Sequence, residues 1–457
     1  MDSKSIGFYE EPPGSFEKSS QHRRDVAMKV YKVGGSCLAS TDDLNIVLEL
    51  AKDKPIFVFS ALKGVTDKLI EQGKKAEAGE YSLEELRKLH YDTIESKLGN
   101  GRQQTKAKID SLFSELQVTL DKIKLERKMT LELLDSVQAF GERLVVPIME
   151  GFLNDKGIPA KALSDREGGF ITTAEFGDAN VPDEQLPAIK EKVMAVVEEG
   201  KIPVVAGFVG RTRAGKITTL GRGGSDLTAT LIAAALGCEV VLFKDVDGLM
   251  SADPKLVPTA KIVRKMNSYD ALEVAHYGSK VVFEKAIFPL LARDAPLNIR
   301  SFRGKSAGTI IDSSVSDELV VSTVKEASVL EFTGTMAHYG ALMTKFAEIK
   351  YYPLAMLEIS YGESSIIVDT PKTERLLQLL AEFKFTVKSG YSMVALIGAS
   401  MKGKSGIAVR IFRLLADKGI NVDGIFASPS GRNISVLIEK QNLEVAANVI
   451  HAEFIGK

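Results

Sequence analysis

Three runs that are apolar at nearly every position, residues 56–59, 202–208 and 240–243, constrain this chain most, because a strand without polar alternation must be covered on both faces. Between the last two lies a strong helix former at 228–236, and a short strand pattern at 28–33 ends in the turn Gly34-Gly35. Strands and helices alternating in this way predict an α/β sheet with helices on both sides. Ligands of such sheets bind beyond the carboxyl ends of the strands, which is where the Gly34-Gly35 turn falls.

The chain has 457 residues, enough for about three domains. Residues 1–27 are mostly polar and lack the apolar stretch of a secretory signal, so they are expected to form a flexible extension. From 82 to 139 the chain is charge-rich, with Ile109, Leu112, Leu116, Leu120 and Ile123 at helical spacing, and is expected to be helical. Past Ser314 the texture changes. Strand patterns at 327–332, 355–360 and 365–368 alternate with helix patterns at 341–348 and 373–383, and the same order returns at 394–397, 407–416, 422–427, 434–438 and 443–451. This reads as a duplicated β-α-β-β-α unit, better suited to binding than to catalysis. The most apolar long window, 227–243, contains Thr228, Thr230 and Glu239 and falls short of the roughly 20 residues that cross a bilayer, so no membrane span is expected.

With 59 basic against 60 acidic residues, no global field favours nucleic acid, and any cationic site must be local. The only cysteines, Cys37 and Cys238, exclude a disulfide scaffold and a metal site built from several thiolates, and they suit a reducing compartment. Lys32-Val33-Gly34-Gly35-Ser36 puts a cation and a flexible turn at a strand end, where backbone N–H groups can surround a phosphate. Gly221-Arg222-Gly223-Gly224-Ser225-Asp226 stands just before the Ala- and Leu-rich helix. Ser225 and Asp226 are capping candidates there, and Arg222 can grip a carboxylate with two donors. Glu142 can receive an ammonium group, Asp245 or Asp247 can face magnesium, and Lys255 and Lys280 add basic groups downstream. A formal P-loop spacing at Gly398 to Ser405 occurs in the second copy of the repeat only, and reads as a loop turning into a helix. Together these residues describe an anionic small-molecule site. Phosphoryl transfer fits it, with the acceptor left open.

Lys32 to Ser36, Phe59 to Thr66, Phe140 to Arg143, Gly169 to Ala179, Thr218 to Thr228, Asp245 to Gly248 and Asp253-Pro254 together resemble aspartate kinase of the amino-acid kinase superfamily. The tail resembles the tandem ACT domains of that enzyme. The resemblance implies an amino-acid kinase-type α/β/α sandwich followed by two ferredoxin-like α+β ACT domains. The divisions expected are 1–27 for the extension, 28–313 for the catalytic domain, 314–390 for the first ACT domain and 391–457 for the second. It also implies transfer of the ATP γ-phosphoryl group to the β-carboxylate of L-aspartate, with Mg2+ as the ATP complex and no resident metal. Alternatives are a related kinase with another carboxylate acceptor, or a catalytically weak amino-acid-sensing subunit.

Residue by residue, the resemblance implies catalytic roles for Lys32 and Asp226, the latter organising the catalytic cations. Substrate contacts fall on Ser60, Thr66, Glu142, Arg222 and Ser225, with Glu142 on the aspartate ammonium and Arg222 on its α-carboxylate. Lys32, Gly34, Gly35, Lys244, Asp245, Lys255 and Lys280 fall on the nucleotide side. Departures from the family pattern cluster there too. Val33, Ser36 and Cys37 replace Phe, Thr and Ser, and Lys244, Met250 and Lys255 replace Thr, Tyr and Arg. Phe283-Glu284 replaces a His-Pro pair. Lysine or threonine as effector, a homodimer or higher assembly, and a cytoplasmic location complete the expectation, with no nucleic-acid or membrane partner.

Overall fold

The computed structural model describes residues 28–456 except 39, 280, 292, 350 and 361, so the expected N-terminal extension lies outside it. From the start, β1 (Lys29–Val33) passes through a 3-10 turn into α1 (Thr41–Ala51), β2 (Ile56–Phe59) and α2 (Val65–Ala78). Four helices follow: α3 (Glu84–Lys97), α4 (Arg102–Glu126), α5 (Leu131–Gln138) and α6 (Phe140–Asp155). Next come β3 (Ala160–Leu163), β4 (Ile171–Thr172), α7 (Leu186–Glu198), β5 (Ile202–Ala206), β6 (Val209–Thr212), β7 (Ile217–Thr219) and α8 (Gly224–Leu236). The first region closes with β8 (Glu239–Lys244), β9 (Lys265–Asn267), α9 (Ser268–His276), α10 (Glu284–Leu291), β10 (Leu297–Ser301) and β11 (Thr309–Asp312).

Eight of these strands form one sheet in the order β3-β5-β2-β1-β8-β10-β11-β9, parallel except for the β10–β11 pair. Alternation along each strand divides the core between the two faces. Val30, Ile56, Val58, Val205, Val240 and Leu242 pack against α7 and α8, while Tyr31, Val33, Phe57, Phe59, Val204 and Phe243 pack against α2, α4 and α6. Helix α8 is buried almost all round, as its Thr, Ala, Leu and Ile composition requires. The chain leaves β1 towards β2 on one side and returns to β8 on the other, so a crevice opens at the carboxyl ends of these three strands.

The tail continues with β12 (Val320–Thr333), α11 (Met336–Glu348), β13 (Ala355–Ser360), β14 (Glu363–Asp369), α12 (Thr370–Leu379) and β15 (Phe385–Ile397). It ends with α13 (Ile407–Ala416), β16 (Gly424–Ala427), β17 (Asn433–Glu439) and α14 (Leu443–Phe454). Its six strands form one antiparallel sheet, β13-β14-β12-β15-β17-β16. Strand β12 serves both repeats. Ala327 to Phe332 pair with β14 and with the start of β15, whereas Val320 to Val324 pair with Met393 to Ile397. The second unit therefore takes its outer strand from the chain that precedes the first unit.

The two regions are joined by polar contacts. Asp270 of α9 pairs with Arg432 at 2.8 Å and accepts from the Ala399 N–H at 3.1 Å, and Ser251 meets Nε2 of His451 at 2.9 Å. The P-loop-like spacing lies at this junction, as a 3-10 turn (Ala399–Met401) leading into α13. No helix among the described residues is long and apolar enough to cross a membrane.

Candidate active site

Strand alternation places the first charged groups. Val30 and Lys32 of β1 share a face, as do Val240, Leu242 and Lys244 of β8, and both series look towards α8. The first turn of α8 carries Asp226, 2% exposed, between the two lysines. Lys32 Nζ stands 3.1 Å from Asp226 Oδ1, and Lys244 Nζ is bonded to Oδ2. Burial pushes the Asp226 carboxyl up, but the two ammonium groups outweigh it and hold it below the usual carboxylate range. Burial also draws Lys244 down, and the Lys32 charge adds to this, although Asp226 opposes it.

A cavity of about 470 Å³ opens over this cluster. It is lined by Lys32, Gly35, Ser60, Thr66, Glu142, Arg222, Ser225, Asp226 and Lys244, nine of the residues singled out from the sequence. Gly35 is required by close packing, since a Cβ there would lie 2.0 Å from the Ala61 carbonyl oxygen. Neither Gly34 nor Gly35 has positive φ, so the freedom expected of this turn is used for approach and not for a left-handed bend. Gly34 leaves room beside the Lys32 ammonium, with Nζ 3.5 Å from where a Cβ would stand.

Glu142 lies in the first turn of α6, which presses against the 60–64 loop: a Cβ on Gly141 would lie 2.7 Å from that of Ala61. The side chain is buried, and Oε2 has no hydrogen-bond partner. Burial pushes its carboxyl up to about 8, against smaller opposing effects from the Ala61 backbone, Lys32 and Ser225. The opposite wall is the entry to α8. Gly221 (φ +72°) and Gly223 (φ +75°) are left-handed, and Gly223 is the N-cap without any side-chain cap. Ser225 and Asp226 therefore do not cap the helix as expected. They sit inside its first turn, facing the cavity. Arg222 is exposed, and among the described residues no carboxylate pairs with it.

The remaining nucleotide-side candidates lie apart. Asp245 is exposed at the rim and accepts from Ser36 Oγ at 3.1 Å. Lys255 is exposed on a segment whose neighbours pack on the second tail unit, where Asn448 donates to the Leu256 carbonyl at 2.7 Å. Lys280 lies outside the described residues. Lining residues to which the sequence reading gave no site role are Lys63, Asp67, Phe208 and Phe283. Lys63 was signalled by its place between Ser60 and Thr66, while Phe208 owes its position to a left-handed backbone (φ +68°) that the apolar run conceals. Among the described residues no group of three His, Cys, Asp or Glu side chains is arranged to hold a metal ion.

The arrangement offers an uncompensated guanidinium, an enclosed carboxyl with one oxygen unpartnered and two ammonium groups on one buried carboxylate. Such a site can hold a small zwitterion and stabilise negative charge beside it. An amino acid kinase family model matches residues 27–301, and an ACT domain model matches 394–454. The chain is 30% identical over 348 residues to an aspartokinase of Corynebacterium glutamicum, covering 70% of this chain and 81% of that one. It is 29% identical over 456 residues to aspartokinase 2, chloroplastic, of Arabidopsis thaliana, covering 93% and 84%. In fold it is similar to E. coli aspartokinase III in complex with aspartate and ADP (R-state), with a TM-score of 0.80 at 22% identity, covering 94% of this chain and 100% of that one. The E. coli enzyme in complex with lysine and aspartate (T-state) gives 0.74, also at 22% identity, covering 94% and 99%.

Proposed function

The chain belongs to the aspartokinases of the amino acid kinase family, ATP-dependent kinases whose acceptor is aspartate, and from that premise we propose how its cavity divides the two substrates. Arg222 takes the α-carboxylate of aspartate in a two-donor grip, and Glu142 takes its ammonium. Ser60, Thr66 and Ser225 complete the acceptor side. The β-carboxylate then faces Lys32, which meets the γ-phosphoryl group in transfer. Asp226 holds Lys32 and Lys244 in place, and Gly34 and Gly35 admit the nucleotide phosphates.

The observation that carries this reading is the pairing of opposite needs in one cavity: Glu142 buried with Oε2 unpartnered and Arg222 without a carboxylate, above two lysines on Asp226. An α-amino acid supplies both missing charges. The acceptor carboxylate is already ionised near neutral pH, so no general base is required, and positioning with charge stabilisation supplies the rate. Magnesium would enter as the ATP complex, held mainly by phosphate oxygens and water, and Asp245 would be the carboxylate at the rim to meet it. Lys255 and Lys280 are assigned to the nucleotide side on the family resemblance alone.

The tail is proposed to sense an amino acid, lysine or threonine, in an assembly of at least two chains. The similar E. coli enzyme in its T-state is a complex with lysine, which supports the first choice. The divisions at 27/28, 313/314 and 390/391 are kept, with residues 320–324 assigned as the outer strand of the second unit. The free cysteines suit a cytoplasmic location.

The test is magnesium-dependent ADP formation by the purified protein with aspartate or glutamate, hydroxylamine trapping the acyl phosphate. Turnover with aspartate alone is expected. Equal turnover with glutamate would favour a broader acid kinase, and binding without turnover would leave a sensing subunit.

A further inference from the structure

Arg222 projects from a left-handed glycine turn into the cavity mouth, where a long side chain free in solution would sample many rotamers. Its side chain meets one ring: Cζ lies 5.2 Å from the centroid of Phe283. That ring is itself closely seated. It covers the backbone of Gly223, where a Cβ would come within 2.3 Å of the Phe283 ring. The next two residues are tied down, Glu284 to His276 Nδ1 at 2.9 Å and Lys285 to Asp178.

A guanidinium stacked on an aromatic face keeps its N–H donors free, because they lie in its own plane, parallel to the ring. A carboxylate partner would have fixed the side chain equally well but would have occupied the donors that a substrate carboxylate needs. We propose that Phe283 is a positioning residue for the acceptor amino acid, holding Arg222 by its face so that its donor edge stays open to the α-carboxylate. The proposal rests on the role given to Arg222 above. It adds that acceptor affinity depends on a residue that makes no hydrogen bond.

The test compares Phe283→Leu, Phe283→Tyr, Arg222→Ala and the double variant Phe283→Leu/Arg222→Ala by steady-state kinetics, with thermal melting as the check on folding. Phe283→Leu is expected to raise the KM for aspartate about threefold to tenfold, the range that loss of a partly desolvated cation–π contact corresponds to. The KM for ATP and kcat should stay within about twofold. Phe283→Tyr keeps the ring face and should restore the parent KM. In the Arg222→Ala background, Phe283→Leu should have no further effect. An unchanged aspartate KM in Phe283→Leu, with a raised one in Arg222→Ala, would overturn the positioning role alone. An unchanged KM in Arg222→Ala would remove the assignment of Arg222 and this proposal with it. An effect of Phe283→Leu that persists in the double variant, or that falls equally on ATP, would mark simple packing and also overturn it. If Phe283→Leu melts too low to assay, Phe283→Met gives the same comparison with a flexible apolar side chain of similar bulk.

Discussion

Lys32 Nζ stands 3.1 Å from Oδ1 of Asp226, on a carboxylate whose other oxygen is bonded to Lys244. The anion keeps two cations side by side at the strand ends and decides where both point. Lys32→Met should lower kcat at least ~100-fold, equivalent to about 2.7 kcal/mol of transition-state stabilisation. Asp226→Asn leaves two partly buried ammonium groups facing each other and should also cost about 3 kcal/mol of stability. Hydroxylamine-trapped turnover and calorimetric melting measure the two effects. A Lys32→Met variant with more than a tenth of parental kcat would contradict the role.

Glu142, with its carboxyl pushed up to about 8 by burial, is mostly protonated at neutral pH when no ligand is present. A bound ammonium favours the ionised form, so aspartate binding near pH 7 should release close to one proton. The KM for aspartate should accordingly fall as pH rises from about 6.5 towards 8, and Glu142→Gln should flatten the profile. Calorimetric titration in two buffers of different ionisation heat counts the proton, and a count of zero would refute the coupling. For the unliganded fold the sign is opposite. The folded value lies above the ordinary 4.5, so this group's contribution to stability is full below 4.5 and is lost as pH rises through about 8.

Gly35→Ala should be poorly tolerated, because the new methyl would meet the Ala61 carbonyl oxygen at 2.0 Å with backbone on both sides. Separating β1 from the 60–63 turn should cost about 1–3 kcal/mol and raise the KM values for both substrates. Melting together with the two KM values tests this, and parental values for both would show that the turn can yield.

His276 faces the Glu284 carboxylate through Nδ1 and the Leu354 carbonyl through Nε2, and both partners can only accept. Burial lowers its pKa, but the hydrogen bond to Glu284, its charge and the Leu354 carbonyl outweigh this and raise it above the usual histidine value. The stability this provides is fully present below about 6.5 and is lost as pH rises through the raised folded value. Backbone amides around Leu354, at the start of the first tail unit's second strand, should exchange faster above that pH. Exchange independent of pH there, after correction for the intrinsic rate, would count against a charged His276, and His276→Gln should abolish the dependence.

What the sequence discloses here follows from how local each signal is. The apolar runs behind β2, β5 and β8 and the Ala-rich α8 are legible because burial on every side leaves a continuous pattern. The run at 202–208 outlasts its strand by two residues, since Phe208 is apolar but sits in a left-handed turn after Gly207. The charged centre was legible as types at motif positions. That Lys244 would share Asp226 with Lys32 was not, because it depends on the registration of β1 and β8, more than 200 residues apart. Phe283 stands out in the sequence as a departure from the family pattern. Its seat on Gly223 is a packing fact that no local window carries. The same holds for residues 320–324, whose partners arrive only after a whole unit has intervened.

The long strand β12 also fixes an order of events during synthesis. Its opening residues leave the ribosome well before Met393 to Ile397 exist to flank them, so the terminal unit can close only after the intervening one has been made. A stop codon placed between the two would not yield a tidy shorter protein. It would leave Val320 to Val324 as a naked β edge beside the catalytic region, inviting adhesion to other nascent chains.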